Sequence, residues 1–136
     1  MLNRRLIRIK AFKSLFAFEN SGADNPETAV KDLLKSCEKT QELYFFLLNI
    51  TGAVVDVATE RIEAGLGKFH PTEEEANPNY KFVNNRFAAL VASDPEFGRF
   101  CQKKGLKWNE HDVFLRKLFA SISSSEYYAE YMNSGK

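Results

Sequence analysis

The sequence predicts an all-α fold, a compact multi-helix bundle built around its first helix. Apolar residues recur at intervals of three and four positions through most of the chain, which is the spacing of one face of an α-helix. Helix-starting and helix-ending residues separate these stretches, and the Asn-Gly and Asp-Gly pairs typical of β-hairpins are absent. At 136 residues and 44% hydrophobic content, the chain is long enough for one domain with its own core.

The first predicted helix is Arg4–Phe18, with Asn3 as its N-cap. A helix that is apolar on many sides is expected to be buried on several of them. We therefore place this helix at the centre of the bundle, with Phe12 and Phe16 in the core. Two rows of apolar side chains support this placement: Ile7, Ala11, Leu15 and Phe18 form one row, and Ile9, Phe12 and Phe16 form the other.

A second helix is predicted to begin at Asn25-Pro26, because Asn is a suitable N-cap and Pro is favoured at the first helical position. The apolar pattern lapses over residues 38–41 and resumes at Leu43, which indicates a further and longer helix. Either Gly65 or Gly67 is expected to end that helix.

Short helices are predicted for the rest of the chain. Their start signals are a capping box at Thr72 and Glu75, Asn84 or Asn85, the pair Asp94-Pro95, Asn109, and a second capping box at Ser123 and Glu126. In the helix after Asn109, the predicted inner face comprises Val113, Phe114, Leu118 and Ile122.

Composition excludes several classes of protein. The net charge of +1 argues against binding of polyanions over the whole surface, so any nucleic-acid contact must come from a local patch. Cys37 and Cys101 lack C-x-x-C spacing and are predicted to be reduced core residues, not disulfide partners or zinc ligands. The chain shows no signal-peptide pattern and no uninterrupted apolar run of about 18 residues. We expect a cytoplasmic protein that is neither exported nor in a membrane.

Arg4, Arg5 and Arg8 cluster in the first turns of the first predicted helix. The positive end of the helix dipole disfavours cations there by about 0.3–1 kcal/mol each. A guanidinium group presents a planar fork of donors that suits phosphate, and it also stacks on bases. The cluster is therefore a candidate nucleic-acid contact, and the alternative is that these residues are solvated surface charge.

Residues 4–16 are similar to the arginine-rich first helix of the NusB family of transcription antitermination proteins. The family pattern is roughly R-R-x-x-R, an Ala three residues after the last Arg, and then Leu-Tyr. Phe16 stands where the family usually has Tyr, so the aromatic face remains and the hydroxyl is lost. Residues 1–10, 82–86 and 130–132 resemble the longer form of NusB found in Bacteroidetes.

The resemblance implies a single all-helical domain over residues 1–136, with NusB-like helices in 1–68 and additional short helices in 69–136. The Phe-Val-Asn-Gly-Val-Leu type segment of the family's second half has no match here. We therefore expect the chain to be the N-terminal part of a longer NusB-type protein.

The resemblance also implies a function. NusB proteins bind the boxA element of nascent transcripts together with the ribosomal protein NusE, within the RNA polymerase antitermination complex, notably on ribosomal RNA operons. The implied RNA-binding residues are Arg4, Arg5 and Arg8, with Lys10 and Lys13 as flanking phosphate contacts. No cofactor, metal or membrane is implied.

Catalysis is not expected, because an enzyme needs a convergent set of reactive groups. His70 and His111 are isolated, and neither a phosphate-binding glycine loop nor an H-x-x-x-H pair is present. The alternative function is a protein-interaction scaffold whose basic tip meets an acidic protein surface without contacting RNA. RNA binding at two salt concentrations, for the wild type and Arg5→Glu, would separate the two hypotheses.

Overall fold

The structure is a computed structural model that describes residues 3–135. No strand occurs among these described residues, so the predicted all-α class is confirmed. A 3-10 turn at Asn109–His111 precedes the sixth of the α-helices. The α-helices are α1 Arg4–Ser21, α2 Pro26–Leu66, α3 Glu73–Ala76, α4 Arg86–Ser93, α5 Pro95–Lys104, α6 Asp112–Ser123 and α7 Glu126–Asn133.

The chain forms two compact units that divide within α2, after Phe46. The first unit holds α1 and the beginning of α2, which form a helical hairpin. The second unit begins at Leu47 and holds the rest of α2 with α3 to α7. The candidate RNA-binding residues all belong to the first unit.

Local hydrogen bonds define the hairpin of the first unit. The Asn3 side chain accepts from the Leu6 N–H at 2.8 Å, which confirms Asn3 as the N-cap of α1. Gly22 ends α1 with a φ of +66°, a left-handed conformation that glycine adopts without strain. The Asn25 side chain accepts from the Glu27 N–H at 2.9 Å, so the predicted start of α2 is confirmed as well.

Helix α2 is continuous through residues 38–41, and the predicted separation into two helices is wrong. These four residues are Glu, Lys, Thr and Gln, and none of them is a strong helix breaker. A lapse in apolar spacing shows that one side of a helix lacks an apolar partner, but it does not interrupt the backbone hydrogen bonds. The helix ends at Leu66, so Gly67 and not Gly65 follows its last residue.

Helix α1 has no buried residue, and its predicted position at the centre of a bundle is wrong. Phe12 is 68% exposed, and Leu15 and Phe16 are each 62% exposed. Within the first unit α1 packs against a single helix, α2, which covers one side of it. Apolar residues on many sides of a helix predict burial on many sides, but the first unit supplies no further helix to cover α1.

The buried hydrophobic residues among those described, which are 3–9% exposed, all lie in the second unit. Phe82, Phe119 and Tyr128 pack together, with ring centroids 5.4–6.4 Å apart. Burial raises the pKa of the Tyr128 hydroxyl, and the nearby Arg61 guanidinium partly opposes that shift. The buried side chains of this unit are Val54, Val57, Ala58, Ala88, Cys101, Trp108, Leu115 and Phe119.

The predicted inner face of α6 is right in part: Leu118 and Ile122 are partly buried, but Val113 and Phe114 are not on the packed side. Leu115 and Phe119 are only 5% and 6% exposed, whereas Val113 and Phe114 are 69% and 52% exposed. Helix α6 is apolar on more than one side, so periodicity alone could not decide which row packs inward.

Most of the predicted helix starts are confirmed. Thr72 and Glu75 form the capping box of α3, Asn85 caps α4, and Asp94 caps α5. The second capping box is wrong, because Ser123 is the last residue of α6. Ser125 caps α7 instead and accepts from the Tyr128 N–H at 3.2 Å.

Helix α2 includes a stretch that is long and apolar enough to cross a membrane, judged by length and composition only. Core helices of soluble proteins pass the same test, and this helix contributes Val54, Val57 and Ala58 to the core of the second unit. The stretch is thus compatible with a soluble protein, and the cytoplasmic location stays a prediction.

Candidate nucleic-acid interface on helix α1

The three arginines at the start of α1 are exposed to solvent. Arg4, Arg5 and Arg8 follow the Asn3 cap directly and occupy the first two turns of the helix. The first turn contains no acidic residue. Within residues 3–135, none of the three guanidinium groups forms an ion pair with a carboxylate. Their charge is therefore accessible to an external anion.

The only acidic residue of α1 is Glu19, which lies near the opposite end of the helix. It follows Arg8 by 11 positions, or about 16 Å along the axis. At physiological ionic strength the Debye length is about 8 Å, so this carboxylate is largely screened from the arginines. The N-terminal half of α1 thus carries positive charge only.

Lys10 lies on a different side of α1 from Arg5 and Arg8. Residues three or four positions apart share a side of a helix, as Arg5 and Arg8 do. Lys10 follows Arg8 by two positions, which corresponds to about 200° around the axis. Its ammonium group donates to the carbonyl oxygen of Ser36 at 2.9 Å and to the Ser36 hydroxyl at 2.6 Å. Lys10 therefore faces α2, and the two arginines face away from it.

Lys13 shares the side of Lys10, since the two are three positions apart. Its exposed side chain lines a groove between α1 and α2, together with Asp32 and Ser36. Arg4 shares the side of Arg8, four positions later. Around the axis, Lys13 is about 60° from Lys10 and about 80° from Arg5, so it lies between the arginine side and Lys10. Of the five predicted residues, Lys10 is the one that the structure separates from the arginines.

Phe12 and Phe16, which are predicted core residues, lie on the arginine side of α1. Phe12 follows Arg8 by four positions and Arg5 by seven, and Phe16 follows Phe12 by four. The two rings are stacked, with centroids 6.2 Å apart and planes inclined by 25°. Their helical phase could have revealed this placement, because residues in phase with exposed arginines are expected to be exposed with them.

The second unit also carries exposed basic residues, and two examples show their surroundings. Lys103 and Lys104 occupy the last turn of α5, where cations complement the helix dipole. Arg116 pairs with Asp112 at 2.8 Å and with Glu60 at 2.9 Å. The hydrogen bond to Asp112 and the charge of both carboxylates raise the pKa of Arg116. The charge of Arg116 is therefore balanced locally by these two carboxylates.

Metal binding and thiol chemistry find no support among residues 3–135. No group of three or more His, Cys, Asp or Glu side chains converges there as a set of metal ligands. Cys37 and Cys101 are free thiols. Burial raises the pKa of Cys101, which lowers the fraction of reactive thiolate.

No family model, no curated protein and no solved structure matches the chain.

Proposed function

We propose that the chain is a non-catalytic RNA-binding protein that contacts single-stranded RNA through Arg4, Arg5 and Arg8. We further propose that it acts in transcription antitermination, as its similarity to NusB implies. The observation that carries the proposal is the exposure of three guanidinium groups on one end of α1, without ion pairs within the described residues.

Counterion release sets the size of the expected effect. Each phosphate neutralised on a single strand contributes about −0.7 to the slope of log affinity against log salt concentration. Three arginine contacts therefore predict a slope of about −2, which is a loss of roughly 20-fold between 50 and 200 mM salt. Binding through such contacts alone is expected at about 10⁻⁴–10⁻⁶ M.

The test is fluorescence anisotropy with a labelled single-stranded boxA RNA at 50 and 200 mM salt. Arg5→Glu should weaken binding at both concentrations and reduce the magnitude of the salt slope by about 0.7 or more. Arg86→Glu is the matched control, because it makes the same charge change at an exposed residue of the second unit. The control should bind RNA as the wild type does.

Equal binding by the wild type and Arg5→Glu would refute the arginine site. Equal losses in Arg5→Glu and Arg86→Glu would show that net charge, and not the position of the arginines, governs binding. If the wild type binds no RNA at either salt concentration, the alternative of a protein-interaction scaffold would be favoured. That scaffold would use the same exposed guanidinium groups to meet an acidic protein surface.

The proposed partners are a boxA-like RNA element, the ribosomal protein NusE and the RNA polymerase antitermination complex, in the cytoplasm. A transcription assay with a terminator downstream of boxA tests this part separately. Addition of the protein with NusE should increase read-through, and Arg5→Glu should increase it less. Unchanged read-through with RNA binding intact would leave an RNA-binding protein that has no antitermination role.

A further inference from the structure

Phe12 and Phe16 expose an unusual amount of aromatic surface. They are 68% and 62% exposed, so each ring leaves roughly 100–150 Å² in contact with water. Their stacking on each other, with centroids 6.2 Å apart, holds both rings beside the helix. Contact between apolar surface and water is unfavourable, so a ligand that covers these rings binds more tightly because it removes them from water.

The two rings continue the arginine side of α1. Arg5, Arg8, Phe12 and Phe16 succeed one another at intervals of three, four and four positions, which keeps all four on one side of the helix. Lys10 marks the opposite side through its hydrogen bonds to Ser36. Cations thus lie at the N-terminal end of this side, and two aromatic faces follow within the next two turns.

We propose that Phe12 and Phe16 form a stacking platform for unpaired bases of the RNA strand whose phosphates contact Arg5 and Arg8. This inference rests on the proposed RNA-binding function and names how the bases of the strand are held. Proteins that bind single strands combine a positively charged track with aromatic side chains on which successive bases stack. Every base has an aromatic face, so the platform tolerates many sequences.

The charge beside the rings favours RNA over a second copy of the chain. Arg5 and Arg8 lie on the same side of α1 as the two rings, and they attract the phosphates of a strand. The neighbouring arginines would also have to be desolvated against a second copy that carries the same charge.

Phe12→Leu is the decisive variant, because leucine keeps an apolar side chain and favours the helix but has no aromatic face. The probe is a labelled single-stranded 12-nucleotide oligoadenylate. Phe12→Leu should weaken its binding at least about 5-fold, the lower bound for loss of one stacked base. Phe12→Tyr should bind as the wild type does. The matched control is Tyr127→Leu, which removes an 85% exposed aromatic ring from the second unit and should have no effect.

An abasic ribose-phosphate 12-mer of the same charge separates stacking from electrostatics. The wild type and Phe12→Leu should bind it equally, with the same salt slope. Full oligoadenylate affinity in Phe12→Leu would overturn the platform, and an equal loss on the abasic strand would overturn it as well. If Phe12→Leu keeps its RNA affinity but loses self-association in sedimentation, the rings are a protein contact and the proposal is wrong. Failure of Arg5→Glu to affect RNA binding would instead refute the arginine site.

Discussion

Replacing Phe119 with alanine tests which side of α6 holds the second unit together. Phe119 is 6% exposed and packs against Phe82 and Tyr128. A ring of roughly 200 Å² that is almost fully buried contributes about 5 kcal/mol at about 25 cal/mol per Å². This is an upper estimate, because the unfolded chain already buries part of that surface. Measured Phe→Ala substitutions in cores cost about 3–5 kcal/mol, so we expect a loss in this range.

Phe114→Ala is the matched control, with the same substitution on the same helix. Phe114 is 52% exposed, so about half of its area is buried and about 2 kcal/mol is expected. Urea unfolding is followed through the fluorescence of Trp108, the only tryptophan of the chain and a buried residue of the second unit. The reasoning fails if Phe114→Ala costs as much as Phe119→Ala, because the face predicted from the sequence would then be the one that packs.

Three further predictions concern local features. The hydrogen bond from Lys68 lowers the pKa of Glu75. The stabilising effect of the Glu75 carboxylate on the α3 capping box is therefore fully present above its unfolded-state pKa and is lost as the pH falls through the lower folded-state pKa. Hydrogen exchange of the capped amides should accelerate over that pH range, and Glu75→Gln should abolish this pH dependence. Gly105→Ala should destabilise the protein by about 1 kcal/mol, because Gly105 has a φ of +64°. Gly98→Ala within α5 should stabilise it by about 0.5–1 kcal/mol, because nothing lies within 4 Å of the added methyl group. Urea unfolding should therefore show changes of opposite sign in the free energy of unfolding. Lys10→Ala should destabilise the hairpin by about 1–2 kcal/mol, because two hydrogen bonds to α2 are lost. Thermal unfolding measures this effect, and an unchanged midpoint temperature would contradict the prediction.

The starts of the helices could be predicted because they depend on short-range chemistry. Asn3, Asn25, Asn85 and Asp94 each accept a hydrogen bond from a backbone N–H two or three residues later. That interaction depends on a few neighbouring residues and hardly on the rest of the fold. The prediction of Ser123 as an N-cap is wrong because three consecutive serines, Ser123 to Ser125, can each act as the cap. The sequence does not determine which of them precedes the first residue of α7.

Burial could not be predicted with the same success, because it depends on partners distant in the sequence. Phenylalanine is usually a core residue, yet Phe12 and Phe16 are exposed because α1 has a single helical neighbour in its unit. On α6 two apolar rows compete, and the packing of Phe119 with Phe82 and Tyr128 selects one of them. Periodicity identifies a helix and its apolar sides, but it does not show how many of those sides are covered.

For the candidate site, the sequence predicts the exposure of the arginines but not which other residues share their side of α1. The residue type and the position at a helix start predict exposed guanidinium groups, and Arg4, Arg5 and Arg8 are exposed. The resemblance to NusB implies Lys10 and Lys13 as flanking phosphate contacts. The helical repeat places Lys10 on the other side of α1, where it donates to Ser36 across the hairpin, and places Lys13 between the two sides.

NMR titration of the ¹⁵N-labelled protein with single-stranded boxA RNA tests the RNA-binding surface most directly, because it identifies the contact surface residue by residue. We predict that the largest shifts occur at Arg5, Arg8 and Phe12, with smaller shifts at Lys10 on the opposite side of α1. Shifts confined to the second unit, or none at RNA concentrations above 10⁻⁴ M, about the weak limit of non-specific binding, would contradict the assignment of the arginine side of α1 as the RNA-binding surface.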